Sequence, residues 1–100
     1  MNKEKILGLL GIAQRSSNLV SGQESVIEAL QGKKIKVVFV ASDASKQTKD
    51  TFSKKCFFYG VECIFSLTSD EITKAIGKER KVIGIKSQGM YDSIKKLMEE

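Results

Sequence analysis

The chain reads as an α/β protein, a three-layer α/β/α sandwich in which a small sheet carries helices on both faces. Short apolar segments suited to strands alternate with amphipathic stretches at helical spacing. The run Val37 to Val40, VVFV, is too continuously apolar for a strand with one wet face and suits a buried central one. The stretches between the strand segments are long enough to serve as helical crossovers. At 100 residues the expectation is a single domain spanning 1–100, since two halves would each be too short to bury an adequate core.

Taken in order, Ile6, Leu9, Leu10 and Ala13 recur at helical spacing and predict a first helix over Lys3 to Ala13, with Gly8 and Gly11 inside it as close-packing positions. Asn18 to Val20 is a short extended segment. Ser21 and Gly22 then signal the start of a second helix, whose apolar face is Val26, Ile27 and Leu30 and which stops at Gly32. Ser21 and Glu24 have capping-box spacing, so Glu24 either folds back onto the Ser21 backbone N–H or faces a ligand. Ile35 to Ala41 forms the next strand, and Ser42 to Ser45 a polar junction. A third helix fits Lys46 to Tyr59, with Phe52, Cys56 and Tyr59 inward and its lysines on the exposed side. Gly60 ends it. Val61 to Phe65 is a third strand, Thr68 to Ile76 a helix with Ile72 and Ala75 inward, Lys81 to Ile85 a fourth strand, and Tyr91 to Met98, entered from Gly89, the closing helix.

Seventeen Lys and Arg against twelve Asp and Glu give a net charge of +5, which favours encounter with polyanions. The excess is spread along the chain, eight basic and five acidic side chains in the first fifty residues and nine and seven in the second, so a phosphate-binding surface has to be gathered by folding. With no histidine, and with Cys56 and Cys63 as the only thiols, neither a structural zinc site nor a histidine-based catalytic arrangement can be built. The two cysteines read as reduced and mostly buried. Asp43 lacks the spacing of a calcium loop. No metal, no cofactor and no enzymatic activity are expected. The opening residues have poor signal-peptide grammar, and no apolar run approaches the roughly 20 residues that cross a bilayer, so the reading is a cytoplasmic protein without a membrane partner.

Gly8 to Gly11, GLLG, lacks the lysine and hydroxyl of a phosphate-binding loop and follows no strand. Gly77 to Lys81, GKERK, is no nucleotide fingerprint either. It does place Lys78, Arg80 and Lys81 in one short loop between a helix and a strand, where flexible cations can approach phosphates. The junction Leu19 to Leu30 is the other candidate, because a helix N-terminus offers free backbone donors and partial positive charge to an anion. Glu24 and Glu28 stand close to it.

The segments GLLGIAQRSSNLVSGQESVIEAL, VVFVASDAS and AIGKERKV, in this order and over almost the whole chain, resemble the small bacterial YlxQ-like proteins of the kink-turn-binding ribosomal protein L7Ae superfamily. The resemblance implies an L7Ae-like α/β/α sandwich with a mixed four-stranded sheet. It also implies recognition of sharply bent RNA made by tandem G·A pairs beside a bulge. The family segment that reads the G·A pairs falls on Gly22, Gln23, Glu24, Ser25 and Glu28. Gly22 fits the pattern. Glu24 stands where asparagine or lysine is usual, Ser25 where glutamate or glutamine is usual, and Glu28 where lysine is usual. Two carboxylates near phosphates would incur desolvation and repulsion unless they accept hydrogen bonds from base amines.

The second family surface falls on Ile76, Gly77, Lys78, Glu79, Arg80 and Lys81. Relatives usually have an apolar loop there, which packs on the extruded nucleotide, whereas Lys78, Arg80 and Lys81 suit backbone attraction. Arg15, Lys33 and Lys34 are further candidate phosphate contacts. The leading expectation is therefore a ribosome-associated or structured-RNA-binding protein. Its candidate partners are kink-turn-like RNA, ribosomal RNA, and ribosomal or translation-related proteins. The alternative is a protein-interaction module of the same fold that has lost kink-turn recognition, with Glu24 and Glu28 meeting a basic protein surface.

Overall fold

Five helices and four strands alternate along the chain in a computed structural model that describes residues 1–100. They are α1 (Lys3–Arg15), β1 (Leu19–Ser21), α2 (Gln23–Gln31), β2 (Val37–Val40), α3 (Lys46–Tyr59), β3 (Glu62–Ile64), α4 (Ser69–Ile76), β4 (Val82–Ile85) and α5 (Gln88–Met98). The four strands form one mixed sheet in the order β1-β4-β2-β3. β4 runs antiparallel to both β1 and β2, with Val20 opposite Gly84 and Val38 opposite Gly84 on the two sides, while β2 and β3 are parallel. The parallel pair requires a crossover, and α3 supplies it.

Every residue of β2 and β4 is buried, as expected of central strands covered on both faces. Helix α1 packs against both α4 and α5 in one layer, and α2 and α3 pack together in the other. One cluster of 22 buried apolar residues runs through all three layers, with Phe39, Phe52, Ile6, Leu10 and Ile72 among its largest fully buried members. Burying a side chain of that size contributes about 1.5–3 kcal/mol.

The element ends shift from the sequence reading where local hydrogen bonds decide. α1 continues two residues past Ala13 to Arg15. α5 begins at Gln88, because the Ser87 hydroxyl caps it by accepting from the Met90 N–H at 3.2 Å. β1 is Leu19–Ser21 rather than Asn18 to Val20, since Ser21 pairs with Ile83. Of the two glycines in α1, only Gly11 serves close packing. A Cβ there would stand 3.1 Å from the Ala75 carbonyl oxygen of α4, whereas one on Gly8 would meet nothing within 4 Å. Tyr59 and Ala75, expected inward, are half-buried. Phe57 and Phe58, next to Tyr59, stand 89% and 79% exposed.

Candidate nucleic-acid interface

The Ser21–Glu24 capping box does not form. Incorporating Ser21 in β1 moves the cap of α2 to Gly22, which has no side chain to cap with, so Glu24 is not tied to the backbone. The other four helices are each capped by a side chain, from Asn2, Ser45, Thr68 and Ser87, and the capping box in this chain is Thr68 with Glu71. The N–H groups at the start of α2 therefore receive no side-chain acceptor and point outward from exposed residues Gln23 to Ser25. Free donors and the positive end of the helix dipole coincide there.

Gly22 shapes this start. Its N–H donates to the Val82 carbonyl at 2.9 Å, fastening it to β4, and its backbone lies at φ 95°, ψ 148°. That region is open to glycine and closed in practice to residues with a Cβ.

Topology brings the second loop to the same place. β4 lies beside β1, so the residues leading into β4 meet the residues leaving β1. Arg80 Nε donates to the Ser21 hydroxyl oxygen at 3.3 Å, and Arg80 Nη1 to the Glu79 carbonyl at 2.8 Å. Ser21, Gly22, Gln23, Glu24, Ser25 and Arg80 together line a shallow hollow of about 550 Å³. The guanidinium is thus held beside the entry to α2, in the same hollow as the free N–H groups of its first turn.

A second hollow of about 490 Å³ shares Ser25 with the first and adds Glu28, Lys34 and Lys86. Lys86 escaped the sequence reading because only the pairing of β4 with β1 carries it next to Val20. Thr48 is a further neighbour that sequence reasoning missed: Gln23 Nε2 donates to its hydroxyl at 3.5 Å, and that hydroxyl also accepts from Ser45 at 3.0 Å. No short-range pattern links position 23 to position 48.

The remaining candidates divide. Lys78 and Lys81 are exposed on the loop with Arg80, after Gly77, which ends α4 in the left-handed conformation at φ 78°. The Lys81 carbonyl accepts from Ala41 at 2.8 Å, and its amine is close enough to Asp43 to help hold that carboxyl below its ordinary range. The larger causes are the Ser69 hydroxyl and N–H, which donate to Asp43 at 2.6 and 2.8 Å. Both oxygens of Asp43 are therefore engaged in joining the β2–α3 loop to the first residue of α4. Arg15 extends along α1 over Gly11, beside the last turns of α4. Lys33 is not part of this surface; it lies past the far end of α2, in a separate cavity.

Cys56 is buried in α3 and Cys63 half-buried in β3, both free thiols. The Cys63 thiol is pushed up by the neighbouring Cys56 sulfur and by burial, which makes it a poor nucleophile.

A mixed sheet of order β1-β4-β2-β3 between helix layers, with the β1–α2 and α4–β4 loops forming one surface, defines the class of small α/β/α sandwich proteins to which this molecule conforms. The chain belongs to the Ribosomal protein L7Ae/L30e/S12e/Gadd45 family, which it matches over residues 4–95. It is 41% identical over 98 residues to the RNA-binding protein YlxQ of Enterococcus faecium, covering 98% of this chain and 95% of that one. It is 32% identical over 92 residues to the RNA-binding protein YlxQ of Bacillus subtilis, covering 91% and 92%. Among solved structures, a Bacillus halodurans protein of unknown function superposes with a TM-score of 0.91 at 36% identity, over 96% of this chain and 98% of that one. The Giardia lamblia 15.5kD RNA binding protein superposes at 0.81 over 96% of this chain and 83% of that one, and at 15% identity it shares the fold.

Proposed function

We propose that this chain is a non-enzymatic RNA-binding protein of the cytoplasm. Its domain, 1–100, engages structured RNA, ribosomal RNA included, through the joint surface of the β1–α2 and α4–β4 loops. The observation that carries this reading is the hollow shared by the uncapped start of α2 and Arg80. Free N–H groups and a guanidinium lining one hollow match the oxygens of a nucleic-acid backbone. The names of the YlxQ relatives support RNA as the ligand.

In this reading Gly22 sets the backbone, Gln23 and Ser25 make polar contacts, and Arg80, Lys78 and Lys81 hold phosphates on one side. Lys34 and Lys86 extend the track along α2. Glu24 and Glu28 face the same track, so they weaken phosphate binding and accept only from base amines or other donors. The outcome is backbone-dominated binding of a structured RNA, with less of the base-edge reading that a kink-turn demands.

Reversing the charge of Lys78, Arg80 and Lys81 together tests the assignment. The variant should lose RNA affinity and show a shallower dependence of affinity on salt while melting normally. Unchanged affinity and salt slope would reject it.

A further inference from the structure

Helix α3 holds four lysines, Lys46, Lys49, Lys54 and Lys55, against the one carboxylate of Asp50, a net +3 out of the chain's +5. None of these groups is in an ion pair; the molecule's two ion pairs join Lys3 to Glu71 and Lys74 to Asp70. Lys46, Asp50 and Lys54 lie around one shallow hollow of about 410 Å³ on the exposed side of the helix. Phe57 and Phe58 follow three and four residues after Lys54, one turn further along that side, and stand 89% and 79% exposed. Phe52 and Cys56 are the residues of α3 buried in the core, so the two exposed rings contribute little to holding the helix in place.

The helix also leads away from the surface formed by the start of α2. Thr48, Thr51, Lys55 and Phe58 recur at i, i+3, i+7 and i+10, which is one stripe of a helix. At its start Gln23 Nε2 donates to the Thr48 hydroxyl at 3.5 Å. At its end Phe58 lines a cavity with Leu30, in the last turn of α2, and with Lys33 just beyond it. Ten residues of helical rise separate the two ends, about 15 Å. Lys33 and Lys36 belong to the lining of that cavity, and no Asp or Glu does.

Unpaired lysines interleaved with exposed aromatic rings suit a single nucleic-acid strand, because ammonium groups attract its phosphates and the ring faces accept its unpaired bases. A regular duplex keeps its bases stacked on one another and gives the rings nothing to cover. We propose that the exposed side of α3 is a second RNA contact, for an unpaired segment. Bases stack on Phe57 and Phe58, and Lys54 and Lys55 hold the adjoining phosphates. Asp50 opposes phosphate between Lys46 and Lys54, which places the main contact at the Phe58 end of the helix. The choice of RNA rests on the reading given above, while the rings and lysines of α3 can be tested apart from the α2 surface.

The test titrates the full chain with four labelled probes: oligouridylate of about 12 nucleotides, an oligomer of the same length without bases, a regular RNA duplex, and an oligoglutamate peptide with a central Trp. Oligouridylate should bind at least about tenfold more tightly than the abasic oligomer. Phe57→Ser with Phe58→Ser should abolish that difference, and Lys54→Gln with Lys55→Gln should weaken both oligomers and flatten their salt dependence. The preference for bases should persist when Lys78, Arg80 and Lys81 are reversed in charge. The four α3 positions are exposed or half-buried, and thermal melts confirm that the variants fold. The proposal is overturned if oligouridylate does not bind below about 1 mM, if the abasic oligomer or the duplex binds as tightly, or if the phenylalanine variant keeps the preference. It is equally overturned if only the acidic peptide responds to the α3 variants, which would make this side of the helix a protein contact. Failure of structured RNA to bind, with the base preference of α3 intact, would reject the α2 surface alone.

Discussion

Arg80 Nε and the Ser21 hydroxyl oxygen lie 3.3 Å apart across 59 positions of sequence, and this contact joins the loop before β4 to the residue that precedes the start of α2. The charge of Arg80 and its place are therefore separable. Arg80→Lys keeps the cation but loses the planar fork that bonds Ser21 and the Glu79 carbonyl together. We expect Arg80→Glu to weaken RNA binding about tenfold or more, and Arg80→Lys to weaken it less while keeping the salt slope. Filter or anisotropy titrations at several salt concentrations check both.

Gly22 holds a backbone conformation, φ 95° and ψ 148°, that a Cβ opposes, although the space around it is open, with Arg80 Nε 3.8 Å from where a Cβ would stand. Strain and not collision is the expected effect. Gly22→Ala should cost about 1–3 kcal/mol of stability and misplace the first turn of α2. Urea denaturation measures the first, and loss of RNA affinity beyond that of a comparably destabilised core variant measures the second.

Glu24 has no capping role, so its replacement should be nearly neutral for folding, within about 0.5 kcal/mol. Glu24→Lys together with Glu28→Lys should raise RNA affinity and steepen its salt dependence. A loss of RNA affinity in a folded double variant would show instead that the carboxylates take part in recognition.

Glu71 receives the Thr68 N–H at 2.9 Å and pairs with Lys3 at 3.1 Å, and these hold its carboxyl below the ordinary range, the Thr68 bond first. The folded state thus favours the ionised form. The resulting stability is present above the ordinary glutamate value and is lost as pH falls through it towards the depressed one. Melts between about pH 6 and pH 3 should show a smaller acid-side loss for Glu71→Gln than for the parent. Thr68→Ala should cost about 1 kcal/mol at neutral pH through loss of the cap.

Tyr91 shows the opposite sign. The Glu62 carboxylate that accepts its proton, with burial second, pushes its hydroxyl up to about 12. Its contribution is whole below the ordinary tyrosine value of 10.0 and disappears as pH rises towards 12. Ultraviolet titration should show one phenol ionising late, and Glu62→Gln should bring it down.

Helix and strand order was legible because burial writes itself into periodicity: VVFV announced a central strand, and α3 was read to its observed ends at Lys46 and Tyr59. What periodicity does not carry is lateral pairing. The adjacency of β1 and β4 decides that Ser21 is a strand residue, that Glu24 is uncapped, and that Arg80 and Lys86 stand beside α2. The same reason separates Lys33 from Lys34, neighbours in sequence that enter different hollows, with Lys33 at a positive φ of 56°. Phe57 and Phe58 fall outside the inward set Phe52, Cys56 and Tyr59 that helical spacing picks out in α3, and both stand exposed.

The most direct measurement is the dissociation constant of the purified protein for a kink-turn RNA and for a regular duplex of equal length, across a salt series, with Arg80→Glu in parallel. The account predicts binding of the structured RNA in the parent, a steep loss with salt, and a weaker, shallower response in the variant. Absence of binding to both RNAs, or parent and variant curves that coincide, would contradict it.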